Sequence, residues 1–389
     1  MATPYHVQPP PQDAPQDAAN NLHAGWFVDP WGAAQWRWWD GQTWTAYTQT
    51  SGVESKPRLP SFLSIPVIFG MLVTIPAVAY TAFLSPLAVL LGLVPICIVL
   101  PTFAWLDRVE PEPRSSQIHA LLWGACVAAL VSGVVNSIAA FSVGESFATV
   151  VSAPVVEELT KGLAVYWAVR RREVDSVMDG IVYAGWAALG FAVVEDFLYF
   201  FEASTSGSLF EVFVLRALLT PFAHPLFTMW IGLGIGWAVS KNKSIFLPAF
   251  IGYIAAVAGH ALWNGSLVYS SAANNGSVLL TAVLCFVALF LVSVVAISLM
   301  RNRSVVEFER SVPALAQLYG MTPQEVMVFG DWRQMLRTRK TLSKPNRKKF
   351  DRVHTALARL AALHNRPGEP DPIDVQILAD QLYRARNTD

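Results

Sequence analysis

Of 389 residues, 53% are hydrophobic and only 14% are charged, and mean hydropathy is +0.40, which excludes an ordinary soluble globular domain and points to an integral membrane protein. The formal net charge is zero but unevenly spread: 3 Lys/Arg against 5 Asp/Glu in residues 1–60, 9 against 13 in 61–300, and 16 against 10 in 301–389, so only the tail is basic. Cys97, Cys126 and Cys285 lie far apart in apolar stretches, which excludes a disulfide framework or a cysteine-based zinc site.

The amino terminus lacks the basic, apolar, small-residue layout of a cleaved secretory signal, so insertion is expected to use the first hydrophobic span. Residues 1–24, rich in Pro, Gln, Asp and Ala, are expected to form a disordered lead. A Trp-rich module follows at 25–50, in which Asp29-Pro30 and Asp40-Gly41 mark turns between short aromatic strands. Its Gly-Trp-aromatic-x-Asp-Pro opening and Arg-Trp-Trp-Asp-Gly-x-x-Trp-Thr close resemble the small Trp-rich domain at the amino terminus of many actinobacterial membrane proteins. Residues 51–61 read as a linker.

Residues 62–300 read as an all-α polytopic membrane domain of about eight transmembrane helices. Hydrophobic spans of about 20 residues, the length a bilayer core requires, fall at 62–82, 86–106, 118–141, 147–169, 178–201, 212–239, 245–269 and 278–300. Pro66, Pro76, Pro95 and Pro101 predict kinks or breaks in the first two, and the sixth is long enough to bend. The loops carrying Arg108 and Arg114, Arg170 to Arg172, and Lys241 and Lys243 are assigned to the cytoplasm, which puts both termini on the cytoplasmic side of the cell membrane.

Ionisable groups inside such spans are costly and mark function. Glu157, Glu158 and Lys161 fall in the fourth span, Glu195 and Asp196 in the fifth, His224 between Pro221 and Pro225 in the sixth, and His260 with Asn264 in the seventh. Counted from the outer end of each span at about 1.5 Å per residue, Glu157 lies about 15 Å deep, Glu195 about 9 Å, His224 about 18 Å and His260 about 14 Å. Four spans of alternating direction thus bring polar groups to one layer, as a cavity open toward the outer leaflet requires. The four-residue spacing of Glu157 and Lys161 pairs them on one helix face, leaving Glu158 on the adjacent face. Pro221 and Pro225 would free backbone groups beside His224, tolerated at that depth only against protein or water. Arg216 reads as snorkelling to the outer surface, and Asn136 as packing glue.

The ordered set Glu-Glu-x-x-Lys at 157–161, Phe-x-x-x-Glu-Asp at 191–196, His-Pro-x-Phe-Thr at 224–228 and His-x-x-x-Asn at 260–264 resembles the PrsW family of intramembrane proteases. Flanking stretches agree: Asp-Arg-Val-Glu-Pro-Glu-Pro-Arg at 107–114 and Asp-Gly-Ile-Val-Tyr-Ala-Gly at 179–185. The resemblance implies hydrolysis of a peptide bond in a membrane-anchored regulatory protein, such as a single-pass anti-sigma factor. It implies Glu157, Glu158, Glu195, His224 and His260 as catalytic residues, with Lys161, Asp196 and Asn264 supporting them. Where the family pattern has Glu-Asn, this chain has Glu195-Asp196, which adds a negative charge.

Members of the wider superfamily have been described both as metalloproteases and as glutamate-dependent proteases. No His-Glu-x-x-His pair supplies the usual zinc geometry, so a metal-independent glutamate base, Glu157 or Glu158, is favoured, with no cofactor. The histidines would place the water or stabilise the oxyanion. If a divalent metal such as zinc is bound, Glu158, Glu195, His224 and His260 are the ligands this reading offers. Two functions of other classes compete: a proton-coupled transporter, which also needs intramembrane carboxylates but for which no internal repeat is visible, and a non-catalytic scaffold or immunity-like protein.

The tail, 301–389, is mostly helical by pattern, with starts expected at Val-Pro-Ala, 312–314, and Thr-Pro-Gln-Glu, 322–325. Its basic run, Arg337 to Arg352, holds eight Lys/Arg and suits the anionic cytoplasmic leaflet; without aromatic interleaving it gives no expectation of nucleic acid.

Overall fold

A computed structural model describes residues 25–29, 36–39, 44–49, 63–368 and 372–387. The chain divides into two compact units, residues 59–304 and residues 1–58 with 305–389. The lead at 1–24 and the linker at 51–61 lie outside the described residues.

The first unit is a helical membrane domain. Its helices are α1 (Ile65–Leu84), α2 (Pro86–Leu106), α3 (Arg114–Ser142), α4 (Ala153–Arg170), α5 (Val177–Ser206), α6 (Leu209–Ser240), α7 (Phe246–Ala272) and the apolar part of α8 (Gly276–Tyr319). Among the described residues, seven of these are long and apolar enough to cross a membrane by length and composition. The remaining one, α4, is depressed in hydropathy by Glu157, Glu158, Lys161 and Arg170. Exposed Phe83, Phe141, Leu262 and Leu280 give the domain the apolar exterior of a multi-pass membrane protein.

Helix α5 is the central post, buried along most of its length and packed by α2, α3, α4 and α6. Its start is fixed by a capping box: Ser176 Oγ accepts the Asp179 N–H (3.2 Å) and Asp179 Oδ2 accepts the Ser176 N–H (2.6 Å). Close approach of α6 is allowed by a facing pair, Gly180 and Gly232, where a Cβ on either would collide with the other's carbonyl. Tyr183 Oη donates to Glu112 Oε2 (2.9 Å) and Asp107 Oδ1 accepts the Glu112 N–H (2.9 Å), so the Asp-Arg-Val-Glu-Pro-Glu-Pro-Arg and Asp-Gly-Ile-Val-Tyr-Ala-Gly stretches knit the α2–α3 loop onto α5.

The proline expectations in this unit hold in part: Pro66 only opens α1, and neither Pro76 nor Pro101 breaks its helix. Pro76 and Pro101 lie inside helices, α2 divides at Leu93 ahead of Pro95, and α6 is interrupted at Thr220–Phe222, around Pro221. Three π-helical segments were not foreseen: Trp123–Ala128 in α3, Ala148–Ser152 before α4, and Val214–Leu219 in α6.

In the second unit, β1 (Gly25–Val28), β2 (Trp36–Trp39) and β3 (Trp44–Gln49) form an antiparallel sheet in that order, with Trp39 and Trp44 rings 5.2 Å apart and a buried Arg37–Asp29 ion pair (2.9 Å). The tail helices are α9 (Pro323–Phe329), α10 (Trp332–Thr341), α11 (Lys344–Asn365) and α12 (Pro372–Asn387). Helix α9 starts as expected, capped by Thr322 and Glu325. The expected start at 312–314 does not occur: Pro313 lies within α8, where burial of Val312 and Leu315 outweighs one lost backbone hydrogen bond. The basic run spans α10 and α11, with Arg339 bound to Asp351 through Nε (2.6 Å) and Nη2 (2.8 Å).

Candidate functional site

Every polar position singled out on the fourth to seventh spans faces one cluster in the membrane domain. Its centre is Lys161, fully buried on α4, whose Nζ lies 3.2 Å from Glu157 Oε2, 3.0 Å from Glu158 Oε1 and 3.0 Å from His224 Nδ1, and 3.9 Å from the centroid of the Phe191 ring. An ammonium has three donors and no acceptor, so each hydrogen has a partner and His224 Nδ1 accepts. Glu158 is therefore not left on another face: as residue i−3 it reaches Lys161 as Glu157 does from i−4.

The two glutamates differ in surroundings. Glu158 is enclosed, its Oε1 also accepting from His260 Nδ1 (3.0 Å) and its Oε2 from Thr228 Oγ1 (2.7 Å). Glu157 lines a cavity of about 710 Å³ together with Asn136, Glu195, His224, His260 and Asn264. Its Oε1 has only a long contact to Asn136 Nδ2 (3.4 Å), and its Oε2 stands 4.0 Å from His260 Nε2. Because Glu158 takes the Nδ1 hydrogen of His260, the Nε2 of a neutral ring presents a lone pair toward Glu157.

His224 begins the second half of α6, just after the break, where the interruption turns the chain and lets the ring face α5. With Nδ1 accepting from Lys161, its Nε2–H donates to Glu195 Oε2 (2.8 Å). Glu195 is held in turn by Arg216, whose Nη2 binds its Oε2 while Nε binds Asp196 Oδ1 (2.6 Å), and the guanidinium lies 4.0 Å over the Tyr199 ring. Asp196, the residue that departs from the family pattern, is thus neutralised by Arg216. On α7, the His260 ring stacks on Phe227 at 5.1 Å, and Asn264 Nδ2 donates to Thr149 O (2.9 Å) on the π segment before α4, not to the histidine.

One residue was misjudged from sequence and one was read incompletely. Arg216 does not snorkel outward; two carboxylates already buried in the cavity wall offer a charged partner that the membrane surface cannot match. Asn136 does bond between helices as expected, accepting from Ser152 Oγ (2.9 Å), and the sequence reading missed that it also contacts Glu157 and lines the cavity. The depth count, applied to them from residues 212 and 141, puts both about 6–8 Å in, close to the other polar positions.

Among the described residues, Glu157, His224 and His260 can offer ligand atoms all within 4.8 Å of one another. Two imidazoles and a carboxylate fit a divalent metal in kind. The set differs from the sequence-based one, because Glu158 is spent on Lys161, Thr228 and His260, and Glu195 on Arg216 and His224. The Lys161 ammonium already holds Glu157 Oε2 and His224 Nδ1, so a cation taking either of those atoms would have to displace it there.

Residues 112–296 match the family described as PrsW family intramembrane metalloprotease. The chain is 32% identical over 171 residues to Protease PrsW of Geobacillus kaustophilus (strain HTA426), covering 41% of this chain and 74% of that protein. It is 31% identical over 160 residues to Protease PrsW of Clostridioides difficile (strain 630), covering 40% of this chain and 65% of that protein. No solved structure matches.

Proposed function

Since this chain belongs to the PrsW family of membrane proteases, we propose that it hydrolyses a peptide bond of a membrane-anchored protein with Glu157 as general base. The observation that carries this assignment is the contrast between the paired glutamates: Glu157 faces the cavity while Glu158 is enclosed. A water placed between Glu157 Oε2 and His260 Nε2, which stand 4.0 Å apart, donates one hydrogen to each and turns a lone pair outward. It attacks the scissile carbonyl carbon, Glu157 takes its proton, and the C–N bond breaks as that proton passes to the leaving amine nitrogen. Asn136 and Asn264 each spend one amide hydrogen on the contacts described and keep another for the oxyanion. Glu158, Lys161, His224, Glu195, Arg216 and Asp196 are positioning residues. Glu157→Gln is expected to lower cleavage by about 10²–10⁴-fold with the fold retained, and Glu158→Gln to act less strongly, through His260. Full activity of Glu157→Gln would overturn the assignment.

The substrate class that fits is a single-pass regulatory protein of the anti-sigma type, cut at the extracytoplasmic end of its membrane segment. Support comes from the shared layer of the site residues and the basic loops assigned to the cytoplasm, which also leave the tail's basic run against the anionic leaflet.

A second reading follows from the Glu157, His224 and His260 cluster and the description of the matching family. These three residues would hold a divalent metal, which when bound supplies Lewis-acid polarisation. Prolonged chelation of the purified protein separates the two: turnover is expected to persist, and loss restored by one specific divalent ion would establish the metal reading.

A further inference from the structure

The polar cavity and a second space both reach Glu157. The second, about 330 Å³, lies between α1, α3 and α5, walled by Val73, Ala77 and Val78 of α1, Leu130 of α3, and Val194 and Phe197 of α5. Gly133, Asn136, Glu157, Glu195 and Tyr199 line both, so the two spaces adjoin at Glu157. At Gly133 a Cβ would find nothing within 4 Å, so no side chain closes the junction there. One turn before the groove, Gly70 places α1 directly on the Cys126 backbone, whereas Val73 and Ala77 stand exposed. Helix α1 is therefore anchored at Gly70, and the groove opens beyond that point, beside Pro76, where a helical hydrogen bond is missing.

We propose that this groove is the subsite for the apolar membrane segment of the substrate, which lies against α1 and α5 and passes its backbone over Gly133 to Glu157. The proposal rests on the peptidase reading of the site. Water then arrives by the polar cavity and substrate by the apolar one. The occupant is a peptide and not a lipid chain because the groove ends on Asn136, Glu157 and Glu195. Backbone N–H and C=O groups find hydrogen-bond partners there, while an acyl chain would desolvate those groups and satisfy none. A segment that is apolar along its length and unwound at its end matches the groove at both places.

The test uses the full chain in nanodiscs and a fluorescent single-span peptide with a Leu-rich core and a polar, glycine-containing flank. A photo-crosslinking benzoyl-phenylalanine is placed at Ala77 or, as control, at the lipid-facing Phe83, in each case with Glu157→Gln. The expected result is a peptide adduct from Ala77 and little from Phe83. In the otherwise native protein, Ala77→Trp is expected to cut cleavage of the same peptide by about tenfold or more with an unchanged melting midpoint. Equal adducts at the two positions, a lipid adduct at Ala77 that excess peptide does not displace, or normal cleavage by Ala77→Trp would overturn the groove assignment and leave the protease reading standing. An adduct at Ala77 with no cleavage by the unaltered chain would keep the groove as a peptide-binding site and defeat the protease reading.

Discussion

Lys161 is the residue on which the site's order depends. Among the described residues it is the one Lys or Arg in contact with Glu157 and Glu158, and it fixes the His224 tautomer through which Glu195 is reached. Removing it strands two buried carboxylates, a change that costs about 3–5 kcal/mol where one partner of a buried pair is lost. Lys161→Met is accordingly expected to lower the yield and the melting midpoint of the purified protein sharply, with part of the loss recovered when Glu158→Gln is added. A midpoint unchanged by Lys161→Met would show that the ammonium is not the structural centre. The pairing of Lys161 with Glu157 was legible in the four-residue spacing; its second and third partners were not, because i−3 contact and contact across helices depend on side-chain direction and packing. Arg216 was missed for a related reason: a lone cation near the end of a span has an inexpensive surface alternative, and only the tertiary arrangement removes it.

At the scale of helices, the polar layer exists because α5 and α6 lie close enough for Glu195 and His224 to meet, and that distance is set at Gly180 and Gly232. Gly232→Ala inserts a methyl group where a carbonyl already stands, an overpacking expected to cost about 1–3 kcal/mol. Thermal unfolding in detergent reads this directly, and an unchanged midpoint would mean that α6 can move away freely. The helices themselves were readable from runs of about 20 apolar residues, and the break in α6 from Pro221. Proline alone was an unreliable guide, however, since Pro313 is carried inside α8 by the burial of Val312 and Leu315. The π segments had no visible sign, because spans apolar on most faces carry little periodicity for one extra residue to shift. Yet two of them place Arg216, Ser152 and Thr149, so the finer shape of the cavity was beyond the sequence while its main residues were not.

The chain places an acidic and histidine-bearing cavity, drawn from α3 to α7, inside an apolar membrane domain, with a basic tail beyond α8. If the basic loops are cytoplasmic, the site residues fall in the outer half of the bilayer, and an unwound substrate backbone meets Glu157 from the extracytoplasmic side. The most direct test reconstitutes the protein in oriented vesicles with a single-span substrate and maps the new termini by mass spectrometry for the unaltered chain and for Glu157→Gln. The account predicts one cut at or just beyond the extracytoplasmic end of the segment, absent with Glu157→Gln; a cut at the cytoplasmic end, or the same cut from Glu157→Gln, would contradict it.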